Sequence, residues 1–363
     1  MISAKEYAQN ILSEHNCIEK KLTLSFSEYS IQIQSNDVRI INDMRDYFGD
    51  FVSDNSANCD SNIYIFQSEL KTPELEFSDW VRDPGKQGRK DAFYDAEDGR
   101  FCWKVRTGMN YVLCDDYRIA YGSVLENFSQ AINFTLNQHM EWLMNHGSVI
   151  CHAAAVAHQG TGIALSAFSG GGKSTTALFL MNQGLDFVSN DRLFLKNSGN
   201  EVRMYGIAKQ PRINPGTILN NPTLRPILPQ QRINELQNMP KQDLWNLEEK
   251  YDAMIDSLYG KGRYQLETKI HAHVILNWKH DSNEDTKITP VNIHQRDDLL
   301  NAIVKSPGPF YIDKNGQGWP NSSDIDRQPY LEVLSEIDVY EVSGKIDFES
   351  IMEPLVKLVK KSS

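Results

Sequence analysis

No run in this 363-residue chain approaches the roughly 18 consecutive apolar residues that a membrane-crossing helix requires, which argues against a helical membrane protein. Cysteine is scarce. Cys17, Cys59, Cys102, Cys114 and Cys151 are scattered, odd in number and without CxxC spacing. That pattern argues against a disulfide framework or a zinc site and for reduced thiols. Positive charge is short as well, with 37 Lys and Arg against 48 Asp and Glu and a net charge of -11. A broad nucleic-acid surface is therefore not expected, although a local basic site could survive within the acidic whole. The opening "MISAKEYAQNILSEHNCIEKK" places acids and polar residues where a signal peptide needs an apolar core, so the cytoplasm is the expected compartment. Internal repeats and low-complexity segments are also missing.

What is present suffices for two domains. A polar, capped helix pattern opens the chain, and Leu22 to Ser35, "LTLSFSEYSIQIQS", alternates like a pair of strands. "NDVRIINDMRDYFGDFV" is helix-like, with Ile40, Ile41, Met44 and Phe48 on one side and Gly49 near its end. "NIYIFQS" reads as a strand, and the turn-rich "VRDPGKQGRKD" leads to three aromatic-rich strands in "GRFCWKVRTGMNYVLCDDYRIAYG". Residues 1–122 thus form an expected α+β domain without a chemical motif, and 123–363 a second domain. That second domain is expected to open with an amphipathic helix from Ser123 to Gly147, with a stripe of Leu125, Phe128, Ile132, Leu136 and Met140. Near the far end come a strand in "KIHAHVILNW", a loop from Ser306 to Asp326, and a strand, Gly turn and helix in "IDVYEVSGKIDFESIMEPLVKLVKK".

The segment that carries chemistry is "SAFSGGGKSTTALFL", Ser166 to Leu180. Against the P-loop pattern G-x-x-x-x-G-K-[ST] it reads Ala167-Phe168-Ser169-Gly170-Gly171-Gly172-Lys173-Ser174, with alanine in place of the first glycine. Strand-like "GIALSA" precedes it and helix-like "TTALFLMNQ" follows. Ser169, Gly170, Gly171, Gly172, Lys173, Ser174 and Thr175 are the expected phosphate-binding residues: the glycines turn N–H groups inward and the helix adds its positive end. Lys173 would reach the β- and γ-phosphates and Ser174 would offer a hydroxyl to Mg²⁺. After Gly184, "LDFVSND" reads as a buried strand ending in Asn190-Asp191. Strand ends in such sheets face the ligand, so Asp191 is a candidate to hold the metal or accept a proton. Upstream, "SVICHAAAVAHQGTGIALSA" reads as a hairpin turning at Gln159 to Gly162, with His152 on its first strand.

The order of His152, hairpin, P-loop, helix, strand and Asn190-Asp191, followed by "EVRMYGIAKQPRIN", resembles the bacterial HPr kinase/phosphorylase family, and most of all the HPr-kinase-related kinases. The match runs from His152 to Ile207 and includes a segment E-x-R-x-x-G-I at Glu201, Arg203, Gly206 and Ile207. The resemblance implies an α/β fold with a P-loop kinase core of the HPr kinase/phosphoenolpyruvate-carboxykinase type, carrying an N-terminal α+β domain. It implies ATP and Mg²⁺ as cofactors and transfer of the γ-phosphoryl group to a hydroxyl. Asp191, His152, Asn190 and Arg203 become the catalytic candidates, and Ser174, Asp191 and Glu201 the metal candidates. Arg212 is a further candidate for charge stabilisation. The chain departs from the family at Ala167-Phe168 and, more consequentially, at Asn190, where the family has an aspartate that deprotonates the acceptor hydroxyl.

Three functions follow as expectations. The first is an ATP-dependent kinase acting on a hydroxyl of a protein or small molecule. The others are a nucleotide-binding regulatory module and an ATPase without transfer to an acceptor. The expected partner is the phosphoryl acceptor, with no nucleic acid and no membrane, and a homo-oligomer is possible.

Overall fold

The alternating run after Leu22 folds as an antiparallel hairpin of β1 (Leu22–Phe26) and β2 (Tyr29–Ser35), with Tyr29, Ile31 and Ile33 buried. The structure is a computed structural model and describes residues 2–54, 59–82, 88–168, 170–240, 243–244, 247 and 249–360. Helix α1 (Ala4–Glu14) precedes the hairpin and is capped by Ser3, whose side chain accepts from the Glu6 N–H. Helix α2 (Val38–Phe48) buries Ile40, Ile41, Met44 and Phe48, the expected stripe.

The first sheet is completed by β3 (Val52–Ser53), β4 (Ser61–Gln67), β5 (Ser78–Asp79), β6 (Asp91–Ala96), β7 (Gly99–Lys104), β8 (Met109–Leu113) and β9 (Arg118–Gly122). Its nine strands run in the order β3-β1-β2-β4-β9-β8-β7-β6-β5, with β2–β4 and β4–β9 parallel. The three aromatic-rich strands expected up to Gly122 are β7, β8 and β9. The turn-rich segment before β6 falls partly outside the described residues.

Helix α3 (Phe128–Asn145) corrects two expectations. It begins at Phe128 rather than Ser123, because residues 123–127 form a turn in which the Asn127 N–H donates to the Ser123 carbonyl at 3.1 Å. It is also buried well beyond one stripe: Phe134, Gln138 and His139 are covered along with Ile132, Leu136 and Met140. His139 stacks on Phe26 and Tyr29, with ring centroids 5.1 and 5.6 Å away, and Phe134 meets Tyr111 at 5.3 Å. These contacts bind α3 to the first sheet. The chain accordingly divides into two compact units, one of Met1–Gly147 with Ser306–Ile325, the other of Ser148–Lys305 with Asp326–Ser363. The boundary expected after residue 122 therefore lies at 147/148, and the expected loop 306–326 belongs almost wholly to the first unit. Within that unit Arg100 donates to the carbonyls of Pro309 and Trp319, and Phe310 packs edge-on against Tyr111.

The second unit is a mixed α/β unit with its own large sheet. It contains β10 (Val149–Cys151), β11 (Ala153–His158), β12 (Thr161–Ala167), α4 (Lys173–Asn182), β13 (Asp186–Ser189), β14 (Leu193–Asn197) and β15 (Val202–Tyr205). After the short pair β16 (Arg212–Ile213) and β17 (Tyr251–Asp252) come β18 (Glu267–Leu276), β19 (Lys287–Pro290) and β20 (Asp338–Ser343). The main order is β10-β14-β15-β18-β12-β11-β13, and β18 pairs with β15 through its first residues and with β20 through its last. Strand β12 is buried along its whole length, as its nearly unbroken apolar sequence requires of a strand covered on both faces. It returns from β11 through Gln159 (φ 48°) and Gly160 (φ 83°), with His158 opposite Thr161. This is a two-residue turn with both central residues at positive φ, shorter than the Gln159–Gly162 turn expected. Helix α4 and the helix Phe348–Lys360 supply Ala177, Leu178, Leu180, Met181, Ile351, Leu355 and Val359 to the core beside β11 and β12.

Each unit hides a histidine. His139 in the first and His273 on β18 in the second are fully enclosed, and burial pulls each imidazole from its ordinary 6.5 down to about 3. The unfolded chain therefore binds more protons than the folded one between about pH 6.5 and 3, and stability falls as pH falls through that window. Each histidine is expected to remove about 1.4 kcal/mol per pH unit below 6.5. Urea unfolding at pH 7, 6 and 5 checks this, and His139→Phe is expected to flatten the slope of the transition it belongs to.

Candidate functional site

The glycine-rich turn leaves the end of β12 as expected. Gly170 (φ 77°) and Gly172 (φ 88°) adopt the left-handed conformation, and the Gly171 N–H closes back on the Phe168 carbonyl at 2.9 Å. A Cβ on Gly171 would lie 2.6 Å from that of Ala167, and one on Gly172 would lie 2.9 Å from the Phe348 ring. The turn rests on an aromatic pair: Trp278 Nε1 donates to the Gly171 carbonyl at 3.0 Å, and Trp278 meets Phe348 edge-on at 4.9 Å. Ser169 lies outside the described residues. Helix α4 starts at Lys173 with Gly172 before it and no side-chain cap. Its first N–H groups and positive end are thereby open to an anion.

Lys173 is partly buried. That burial, with Lys305 and Lys250 adding to it and Asp191 opposing, pulls the ammonium down to about 8. Ser174 Oγ donates to Asn190 Oδ1 at 2.7 Å, and Thr175 Oγ1 shares a hydrogen bond of 2.9 Å with Thr217 Oγ1.

Asn190 and Asp191 follow β13, whose end lies with that of β12 because both run antiparallel to β11. Asp191 has φ 72°, in the left-handed region that aspartate tolerates better than most residues. The two neighbours serve different partners, Asn190 pairing with Ser174 and Asp191 with His152 and Lys305. Asp191 Oδ1 lies 3.1 Å from His152 Nε2 and Oδ2 lies 3.3 Å from Lys305 Nζ, yet its side chain keeps 53% exposure, so a ligand could still reach it. Crowding by the protein opposes ionisation of Asp191, but the His152 hydrogen bond and the Lys305 charge outweigh it and hold the carboxyl well below its usual range.

His152 departs slightly from expectation. It lies at a bend between β10 and β11, where the chain stops pairing with β14 and starts pairing with β12 and β13. Its N–H donates to the Ile303 carbonyl at 2.7 Å, and Cys151 bridges Val304, which brings Lys305 alongside. Burial, with Lys305 and Lys173, lowers the His152 imidazole pKa against the pull of Asp191. Beneath the bend, buried Ser166 donates to the His152 carbonyl at 3.0 Å and pairs with His273 Nε2 at 2.8 Å.

Glu201 and Arg203 are not brought to this place. Glu201 precedes β15, which returns antiparallel from β14, and Arg203 stands opposite Lys269, which stands opposite Thr161. Thr161 begins β12 and the glycine turn follows its end, roughly 20 Å away at about 3.3 Å per residue. At that far edge Arg203 binds Glu201 at 2.8 Å and Glu267 at 2.9 Å, an ion-pair cluster of the sheet. The structure thus sets Glu201 and Arg203, expected as a metal and a catalytic residue, in an ion-pair cluster away from the glycine turn rather than beside it. Gly206, from the same segment, has a packing role: a Cβ there would lie 1.9 Å from the Val188 carbonyl on β13. Arg212 is exposed on β16 and lies 3.4 Å from Asp252.

Lys305 and Lys209 were not foreseen. Lys209 is lowered to about 8 by burial and by Arg192 and Arg212, with Asp191 opposing. Lys305 stands in a segment without a motif, and only the fold carries it to Asp191, whereas Lys209 lies just past the E-x-R-x-x-G-I segment and drew no role there.

The arrangement fits a polyphosphate: crowded glycines, an uncapped helix start, and lysines whose lowered pKa an anion would reverse. A metal finds less. Among the described residues no group of three His, Cys, Asp or Glu side chains could hold one, and Asp191 has a partner on each oxygen. Ser174 Oγ and Asn190 Oδ1 lie beside the turn but are hydrogen-bonded to each other at 2.7 Å, so a magnesium ion arriving with phosphate would have to displace that bond to use them.

No family model matches the chain, and no curated protein does. Among solved structures, one that it is similar to is the HPr(Ser) kinase/phosphatase of Coxiella burnetii, at 11% identity over 59% of this chain and 97% of that one. The TM-score is 0.31, too loose a superposition to bear on fold or activity. No helix among the described residues is long and apolar enough to cross a membrane, and the five cysteines are free.

Gly206→Ala should place a methyl inside the β13 backbone and cost on the order of 3 kcal/mol or prevent folding. Chemical denaturation of the variant checks this, with Gly216→Ala, where a Cβ meets open space, as the neutral comparison.

Proposed function

We propose that this protein binds ATP at Gly170 to Thr175 and transfers its γ-phosphoryl group to a hydroxyl of a protein or small molecule. One observation carries the reading. Lys173, the Ser174–Asn190 pair and the Asp191–His152–Lys305 cluster meet at the same end of the second sheet, around a glycine turn too tight for side chains. Phosphoryl transfer asks chiefly for positioning and for charge at the transferring group, and these are what the lysines and the helix start supply. Magnesium arriving with the phosphates would be held by the Ser174 and Asn190 oxygens and would neutralise charge on the phosphate oxygens.

A second reading has its own observation. Asn190 puts a neutral amide beside Ser174, where a carboxylate would grip a metal more strongly. A nucleotide-binding regulatory module, or an ATPase with water as acceptor, would tolerate that weaker grip better than a fast kinase.

Calorimetry with ATP and Mg²⁺ tests the nucleotide site: Lys173→Ala should weaken binding at least tenfold, whereas Glu201→Gln should leave it within about twofold. Unchanged affinity in Lys173→Ala would remove the site. Incubation with labelled ATP, Mg²⁺ and a cell extract then separates the readings, since label on an acceptor supports the kinase and label in free phosphate alone supports the alternative.

A further inference from the structure

Asn190 stands beside the glycine turn as an amide tied to Ser174, and an amide cannot take up a proton from an acceptor hydroxyl. Asp191, the next residue, is a carboxylate, but each of its oxygens already faces a nitrogen, His152 Nε2 at 3.1 Å and Lys305 Nζ at 3.3 Å. A carboxylate clamped on both sides is a poor base and a good anchor. Because it can only accept, its contact with His152 requires the proton to sit on Nε2. The lone pair of the imidazole is then on Nδ1. That atom has no hydrogen-bond partner among the described residues, yet it is not one of the sealed polar atoms, as Nδ1 of His139 and His273 are. The ring keeps 28% exposure, and its backbone is fixed by the Ile303 carbonyl on one side and the Ser166 hydroxyl on the other. A carboxylate orienting one imidazole nitrogen so that the other can take a proton is the arrangement by which hydroxyl nucleophiles are activated elsewhere.

We infer that Lys305, Asp191 and His152 act as a relay in which the lysine fixes the carboxylate, the carboxylate fixes the imidazole, and His152 Nδ1 receives the acceptor's proton. The inference rests on the kinase reading and assigns its proton path. In the step, the acceptor O–H bond breaks and its oxygen bonds to the γ-phosphorus. The bond from that phosphorus to the β,γ-bridging oxygen breaks, with the electron pair leaving on ADP. The proton moves to His152 Nδ1 and from the imidazolium to water, so ATP and the alcohol are the only reactants. His152 is the catalytic residue, and Asp191 and Lys305 are positioning residues.

The first test needs no nucleotide. Nitrogen-15 two-bond correlation spectra of the full chain should show His152 protonated on Nε2 and bare on Nδ1, and an Nδ1–H tautomer overturns the relay. The second uses labelled MgATP with water standing in for the acceptor. His152→Ala should lower hydrolysis by about 10²-fold or more while ATP affinity stays within about twofold. Added imidazole should restore part of that loss in His152→Ala and nothing in Lys305→Gln, whereas Lys305→Arg should keep most of the wild-type rate. Should His152→Ala not fold, His152→Gln takes its place. Wild-type hydrolysis in a folded His152 variant, or no rescue by imidazole, overturns the relay while ATP binding leaves the kinase site standing. ATP bound without any turnover by the wild type also overturns the relay, and a wild type that does not bind ATP overturns both.

Discussion

Strand β12 has no free side. Its seven residues are buried, it pairs with β11 on one edge and β18 on the other, and at Gly162 even a methyl would collide with the Val156 carbonyl 2.3 Å away. A chain leaving such a strand cannot turn back across either face. It can only continue past the end of the sheet, where the glycine turn and α4 begin. The same pairing brings the end of β13 and the bend at His152 to that edge, because both flank or form β11. The candidate site is thus a consequence of strand order, with each side chain delivered by a backbone that is held elsewhere.

Local signals in the sequence were dependable where one face decides burial. The stripe of α2, the β1–β2 alternation and the strand–glycine–helix passage at Ala167 to Lys173 all reflect short-range periodicity or backbone demand. The apolar stripe of α3 predicts an amphipathic helix, but Gln138 and His139 are buried too, and the sheet residues Phe26 and Tyr29 stack on His139 on the side expected to be polar. Periodicity cannot register a second covering layer. The misplaced boundary before α3 has the same cause, since a helix carries no mark of which sheet it will join.

At the site, adjacency in sequence misled twice in opposite senses. Glu201 and Arg203 stand ten residues or so beyond Asp191 and seemed to belong with it, but the β14–β15 hairpin spends that length travelling away along the sheet. Lys305 lies far along the chain and carries no motif, yet a single bridge from Cys151 to Val304 sets it beside His152. Asn190 and Asp191, side by side in sequence, reach different partners, Ser174 for one and His152 with Lys305 for the other, as consecutive side chains at a strand end point to opposite sides. What decides each case is backbone geometry over distances that a motif does not encode.

The first unit takes in residues 306–325 and the second closes with the helix Phe348–Lys360, which has a consequence for synthesis. On a ribosome, the first unit waits for Ser306–Ile325 long after its own sheet has emerged. Through that interval Arg100 lacks the Pro309 and Trp319 carbonyls it binds in the finished fold. The second unit in turn waits for Ile351, Leu355 and Val359 to cover α4 and β12. Each unit is therefore completed by a segment made after the other unit's sheet has begun, Ser306–Ile325 for the first and Phe348–Lys360 for the second, which sets this chain apart from one whose N-terminal domain is finished first.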